Sequence, residues 1–140
     1  MRQPFMRAVA LCAATICIAA CGGDSPTSPA SASLAGTYQL KTIDGSPLPF
    51  TYQSGVNKVV ITSDAITVAD GGTWTETGHF TMTYNGQTTD QVISDGGTWT
   101  RAGTGVSFYS AQPGTVTYSG TFTGSGFSVS DAAFSYTFGR

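Results

Sequence analysis

After position 21 the sequence has no cysteine, and the three it does have (Cys12, Cys17 and Cys21) crowd its beginning. Disulfides and thiol chemistry are therefore excluded from the body of the chain, which must rest on an apolar core alone. Histidine and glutamate occur once each, as His79 and Glu76. With so few, there is no metal-ligand cluster, and period-two parity puts the two on opposite faces of one strand, a poor geometry for an acid–base couple. A serine elbow and a phosphate loop are also missing. From residue 34 onward the only basic residues of the Lys/Arg type are Lys41, Lys58, Arg101 and Arg140. They form no cluster, which argues against nucleic acid as a partner. Leucine is confined in that region to Leu34, Leu40 and Leu48, and no window has helical periodicity. What is abundant is Thr, Ser and Gly among aromatic residues, an all-β composition.

The N-terminus reads differently. Arg2 and Arg7 precede an apolar run of 13 residues, Ala8 to Ala20. That is short of the roughly 20 residues a membrane-spanning helix needs, but it matches the core of an export signal. The run ends Ile18-Ala19-Ala20-Cys21, which resembles the lipobox of bacterial lipoproteins: an aliphatic residue, two small residues, then cysteine. The resemblance implies a signal peptide over 1–20, with Cys21 acylated (palmitate or a similar chain) as the first mature residue. Two or more such chains anchor a protein stably to a membrane. Gly22, not Asp, follows the cysteine; by resemblance to the sorting rule of enteric bacteria, this implies the outer membrane. Residues 22–33, "GGDSPTSPASAS", have nothing to bury and read as a disordered tether. The organisation expected is signal 1–20, lipidated Cys21 with tether 21–33, and one domain over 34–140.

Within that domain the strands announce themselves by alternation. In "GTWTETGHFTMTY" (72–84) Thr73, Thr75, Thr77, His79, Thr81 and Thr83 share one parity. Trp74, Glu76, Gly78, Phe80, Met82 and Tyr84 share the other. One face is polar and the other mostly aromatic, with a bulge or bend expected at Glu76–Gly78. The pattern recurs with Tyr38 and Leu40, Val59 and Ile61, Tyr118 and Phe122, Phe127 and Val129, and Phe134, Tyr136 and Phe138 inward. Turn signals separate the runs, among them Ser63-Asp64, Asp70-Gly71, Asn85-Gly86, Asp95-Gly96, Pro113-Gly114 and Ser130-Asp131. Residues 44–57 read as a rim loop, and 87–93 as the weakest strand, an edge or a flap. One-sided strands in a meander must bury their apolar face. An up-and-down antiparallel meander of about 8–10 strands closed into a small barrel does so and removes edges; a β-sandwich is the alternative.

"DGGTWT" occurs twice, at 70–75 and 95–100. The Asp-box of sialidase-type propellers places Asp five positions before Trp, but here the offset is four. Calcium solenoid repeats recur about every nine residues, whereas these copies lie 25 apart. Both copies are expected to be hairpins, with Asp-Gly closing the turn.

Taken with "AGTYQL" (35–40), "IDGSPLP" (43–49) and "YTFGR" at the end, these features resemble the bacterial lipocalin-like lipoproteins, calycin-type barrels behind a lipobox. Lipocalins open with Gly-x-Trp, and a late arginine covers that Trp at the closed end. Here Gly36-Thr37-Tyr38 puts Tyr38 in that place, and Arg140 or Arg101 takes the arginine's part. Two functions follow. In the first, the barrel binds a small apolar ligand without catalysis: Trp74, Trp99, Tyr118, Phe122 and Tyr136 line it, and Arg101 or Glu76 orients a polar headgroup. In the second, the barrel is fully packed and serves as a structural or protein-interaction module of the envelope. Neither requires a cofactor or a metal.

Overall fold

The computed structural model describes residues 32–112 and 117–140. Residues 1–31, where the expected signal, Cys21 and nearly all of the expected tether fall, lie outside the described residues, as do Pro113-Gly114 and Val116. The strands in chain order are β1 (Gly36–Ile43), β2 (Ser46–Pro47), β3 (Phe50–Ser54), β4 (Asn57–Val68) and β5 (Thr73–Tyr84). They continue with β6 (Gln87–Ala102), β7 (Gly105–Ser110), β8 (Tyr118–Phe122), β9 (Gly126–Ser130) and β10 (Ser135–Gly139). All pairings are antiparallel. From β4 to β10 each strand neighbours the next, and β1 closes the ring by pairing with both β10 and β4. The result is an eight-stranded barrel with two extra strands, β2 and β3. One sheet curls onto itself, so the sandwich alternative is set aside.

The two extra strands come from 44–57, which is not the open rim loop expected. β2 pairs with the end of β1, and β3 pairs with the first half of β4. This is possible because β1 and β4 touch only at Gly36–Gln39 and Ala65–Val68. Beyond that contact β4, β5 and β6 overshoot the ring, and β3 pairs along their overhang. The segment 87–93 is regular strand, hydrogen-bonded to β5 along its whole length. On its other side β6 meets β7 only from Gly97 onward.

Two further expectations fail, each for a local reason. Ser63-Asp64 is not a turn: β4 runs straight through it and carries a bulge at Thr62, the residue skipped between Ile61↔Phe80 and Ser63↔His79. The Thr62 hydroxyl donates to the His79 carbonyl at 3.0 Å, filling the gap in the ladder. The bulge therefore lies opposite β5 rather than within Glu76–Gly78. It also reverses parity, so Val59 and Ile61 face inward before it and Asp64, Ile66 and Val68 after it.

The second "DGGTWT" is not a hairpin either. Asp70-Gly71-Gly72 does close the β4–β5 turn, with Gly72 at φ 80°. Asp95-Gly96-Gly97, however, lies mid-strand in β6, where Thr98, Gly97 and Gly96 pair with Thr73, Trp74 and Thr75 of the first copy. A Cβ on Gly96 would stand 2.9 Å from the Trp74 carbonyl oxygen, and one on Gly97 would overlap that of Tyr109. These glycines serve close approach of backbones, not a turn.

The core occupies the half of the barrel where β1 begins and β10 ends. Tyr38, Trp74, Phe108, Phe122, Phe127 and Phe138 are buried there. Their rings stack and cross, Phe127 lying 5.0 Å from Phe138, 4.8 Å from Tyr38 and 5.2 Å from Phe108. Burial of each contributes about 1.5–3 kcal/mol against the entropy of ordering.

Candidate functional site

The two ends of the barrel are built from different chemistry. At the core end the segment 32–35 crosses the opening, with Leu34 buried beneath it. Tyr38 donates from its hydroxyl to the Leu34 carbonyl at 2.7 Å. Arg140 lies with its guanidinium 5.0 Å over the Tyr38 ring, and its Nη2 donates to the Tyr38 hydroxyl and the Ala35 carbonyl, both at 2.8 Å. Arg101 sits 4.8 Å over Phe122 and donates to the carbonyls of Gly103 and Ala32. Trp99 donates from Nε1 to the Ala69 carbonyl at 2.9 Å. Both arginines are thus held by carbonyls and rings, and this end is shut.

The ligand-binding residues inferred from sequence separate accordingly. Trp74 and Phe122 belong to the packed core, and Trp99 and Arg101 to the closed end. Tyr118 and Tyr136 lie toward the opposite end, the mouth, where β8 and β10 begin; they are partly buried, with ring centroids 5.8 Å apart. There Phe134 packs edge-on against Phe50 at 5.8 Å and Tyr52 at 5.6 Å. The overhang continues this apolar face outward through Val59, Phe80 and Met82 to Tyr84. Met82, Tyr52 and Tyr84 are 40%, 49% and 58% exposed, an unusual concentration of bare apolar surface.

Between mouth and core lies a polar layer that sequence reasoning half missed. Glu76, one step above Trp74 on the inner face of β5, was legible from parity. Asp64 was not, because its inward aim depends on the Thr62 bulge; the switch from odd apolar positions (Val59, Ile61) to even ones (Ile66, Val68) is the signal that betrays it. Both side chains are buried, Asp64 at 5% and Glu76 at 4% exposure. Asp64 stands opposite Gly78, where a Cβ would lie 3.0 Å from Asp64 Oδ1; glycine makes the room.

The two carboxyls share a hydrogen bond, which requires a proton. Burial first, and then the charge of Asp64, push the Glu76 carboxyl up to about 9, so Glu76 is the donor. Burial likewise raises Asp64, and its Oδ1 has no hydrogen-bond partner. Around the pair, Asp95 accepts from the Gly96 amide at 2.7 Å and the Ser110 hydroxyl at 2.8 Å. Asp131 accepts from the Tyr136 hydroxyl at 2.9 Å and from the Ala133 and Phe134 amides. Burial, reinforced at Tyr136 by the Asp131 hydrogen bond and at Tyr118 by the charge of Glu76, pushes both phenols above their usual range. They remain neutral donors.

His79 is exposed on the outer face, across the sheet from Glu76. Among the described residues, no group of three or more His, Cys, Asp or Glu side chains is placed to hold a metal. The closed antiparallel eight-stranded barrel is consistent with the lipocalin-like, calycin fold. Compared with protein-family models, curated proteins and solved structures, the chain matches none of them.

Proposed function

We propose that this chain is a lipid-anchored protein of the bacterial cell envelope, held at the outer membrane through Cys21, whose barrel binds a small, largely apolar ligand at its mouth without catalysis. The lipobox-like Ile18-Ala19-Ala20-Cys21 supports the anchor. One observation carries the binding: an apolar face, exposed at Tyr84, Met82 and Tyr52 and partly buried toward Phe134, runs from the overhang down to the barrel rim. Ligand sites are mostly apolar and furnished with few polar groups, and the mouth has both features. The site therefore involves Tyr118 and Tyr136 rather than Trp74, Trp99, Arg101 and Phe122, which belong to the packed half. That packed half favours the second reading, a structural or protein-interaction module.

Native mass spectrometry on the full chain, extracted from membranes before and after treatment with organic solvent, separates the two. An extra mass that solvent removes is expected, beyond the acyl chains, which stay. A single unchanged mass would favour the packed module.

A further inference from the structure

The polar layer above Trp74 is one-sided in charge. Asp64, Glu76, Asp95 and Asp131 cluster there on β4, β5, β6 and the β9–β10 loop. Among the described residues Lys41, Lys58 and His79 are exposed, while Arg101 and Arg140 are held at the closed end. Asp64 adds an independent fact: it is buried, and one of its oxygens lacks any donor. Such an orphan acceptor has given up its water without replacement, so a group that donates to it recovers that loss.

Resting on the reading of the mouth as a ligand site, we propose that its ligand is an organic cation: an ammonium head held by Asp64 and Glu76 beside the rings of Tyr118 and Tyr136, on an apolar body lying along Phe50 and Phe134. An ammonium supplies the missing donor, neutralises the pair and meets aromatic faces that attract cations. A carboxylate ligand would meet four acidic side chains and no available base. A neutral alcohol would leave the charge unbalanced. With Glu76 keeping its proton, the single positive charge of the head balances the single negative charge of the pair. The other ionisable groups that face the pair are Asp95, Asp131, Tyr118 and Tyr136.

The test is isothermal titration calorimetry on the full chain in phosphatidylcholine nanodiscs, with empty nanodiscs as blank. The probes are 4-phenylbutylamine, 4-phenylbutan-1-ol and 4-phenylbutyrate, which share a body and differ in head. The amine is expected to bind at least tenfold tighter than the alcohol. Asp64→Asn is expected to bring the amine down to the alcohol's affinity. Equal affinities on the unaltered chain, or a preference for the carboxylate, would overturn the cation and leave the apolar site standing. If none of the three binds, both readings fall.

Discussion

The Arg140 guanidinium rests 5.0 Å over the Tyr38 ring and donates to its hydroxyl, while that hydroxyl donates onward to the Leu34 carbonyl. The last residue of the chain thereby locks the segment that enters the first strand. Tyr38 is fully buried, so its hydroxyl is a relay between two backbone segments and a charged group.

Tyr38→Phe keeps the ring and the cation–π contact but leaves the Leu34 carbonyl without its donor. A loss of about 1–2 kcal/mol is expected, read as a lower urea midpoint with unchanged slope. Arg140→Lys retains charge without the planar fork and is expected to destabilise the barrel as well. An unchanged midpoint in both variants would mean the end is held by Leu34 packing alone.

The carboxyl pair predicts an inverted pH dependence. In the folded chain Glu76 keeps its proton up to about pH 9, whereas the unfolded chain releases it near 4.5. Between those values the folded state binds more protons than the unfolded one. Its contribution to stability is thus full below 4.5 and falls as pH rises, by up to about 1.4 kcal/mol per pH unit. The shift at Asp64 acts in the same direction. Urea midpoints measured from pH 5 to pH 8 should decline, and Glu76→Gln should flatten most of that decline. A midpoint that rises over this range would refute the shared proton.

The two copies of "DGGTWT" are expected to tolerate the same substitution differently. Gly71 has open space around it, so Gly71→Ala should change stability by less than about 0.5 kcal/mol. Gly96→Ala, at the equivalent position, would bring a methyl to 2.9 Å from the Trp74 carbonyl oxygen and is expected to cost about 1–3 kcal/mol. Thermal denaturation of the pair reads the contrast directly.

Much of this fold was legible because alternation and turn chemistry are local. Tyr118–Phe122, Phe127–Val129 and Tyr136–Phe138 each declare an inner face within a few residues, and Asn85-Gly86 makes its turn with both residues at positive φ. What escaped depends on partners far along the chain. The Asp95-Gly96-Gly97 run has the composition of a turn, yet its glycines answer to Trp74 and Tyr109 on neighbouring strands. Asp64 looked like a turn residue because nothing near it reveals that Thr62 is bulged against β5. The arginines at the closed end were visible as candidates, but only the register of β1 with β10 separates Arg140, over Tyr38, from Arg101, over Phe122.

The anchor makes its own prediction. Cys21→Ser is expected to abolish incorporation of radiolabelled palmitate and to leave an uncleaved precursor. The wild-type chain should take up label and partition with the outer membrane. Equal labelling of both proteins would remove the lipid anchor from the account.

The seam between β1 and the strands on either side sets when this molecule can first exist as a fold. Leu40 pairs with Phe138, and Gln39 with both Ala65 and Gly139. The opening strand can pair with β4 early, but its other edge stays open until β10 pairs with it. Closing the ring through so distant a pairing is slow, on the order of milliseconds to seconds. Removing even the last few residues unzips both neighbours of the seam at once, so the barrel is expected to fail as a unit rather than fray from its tail.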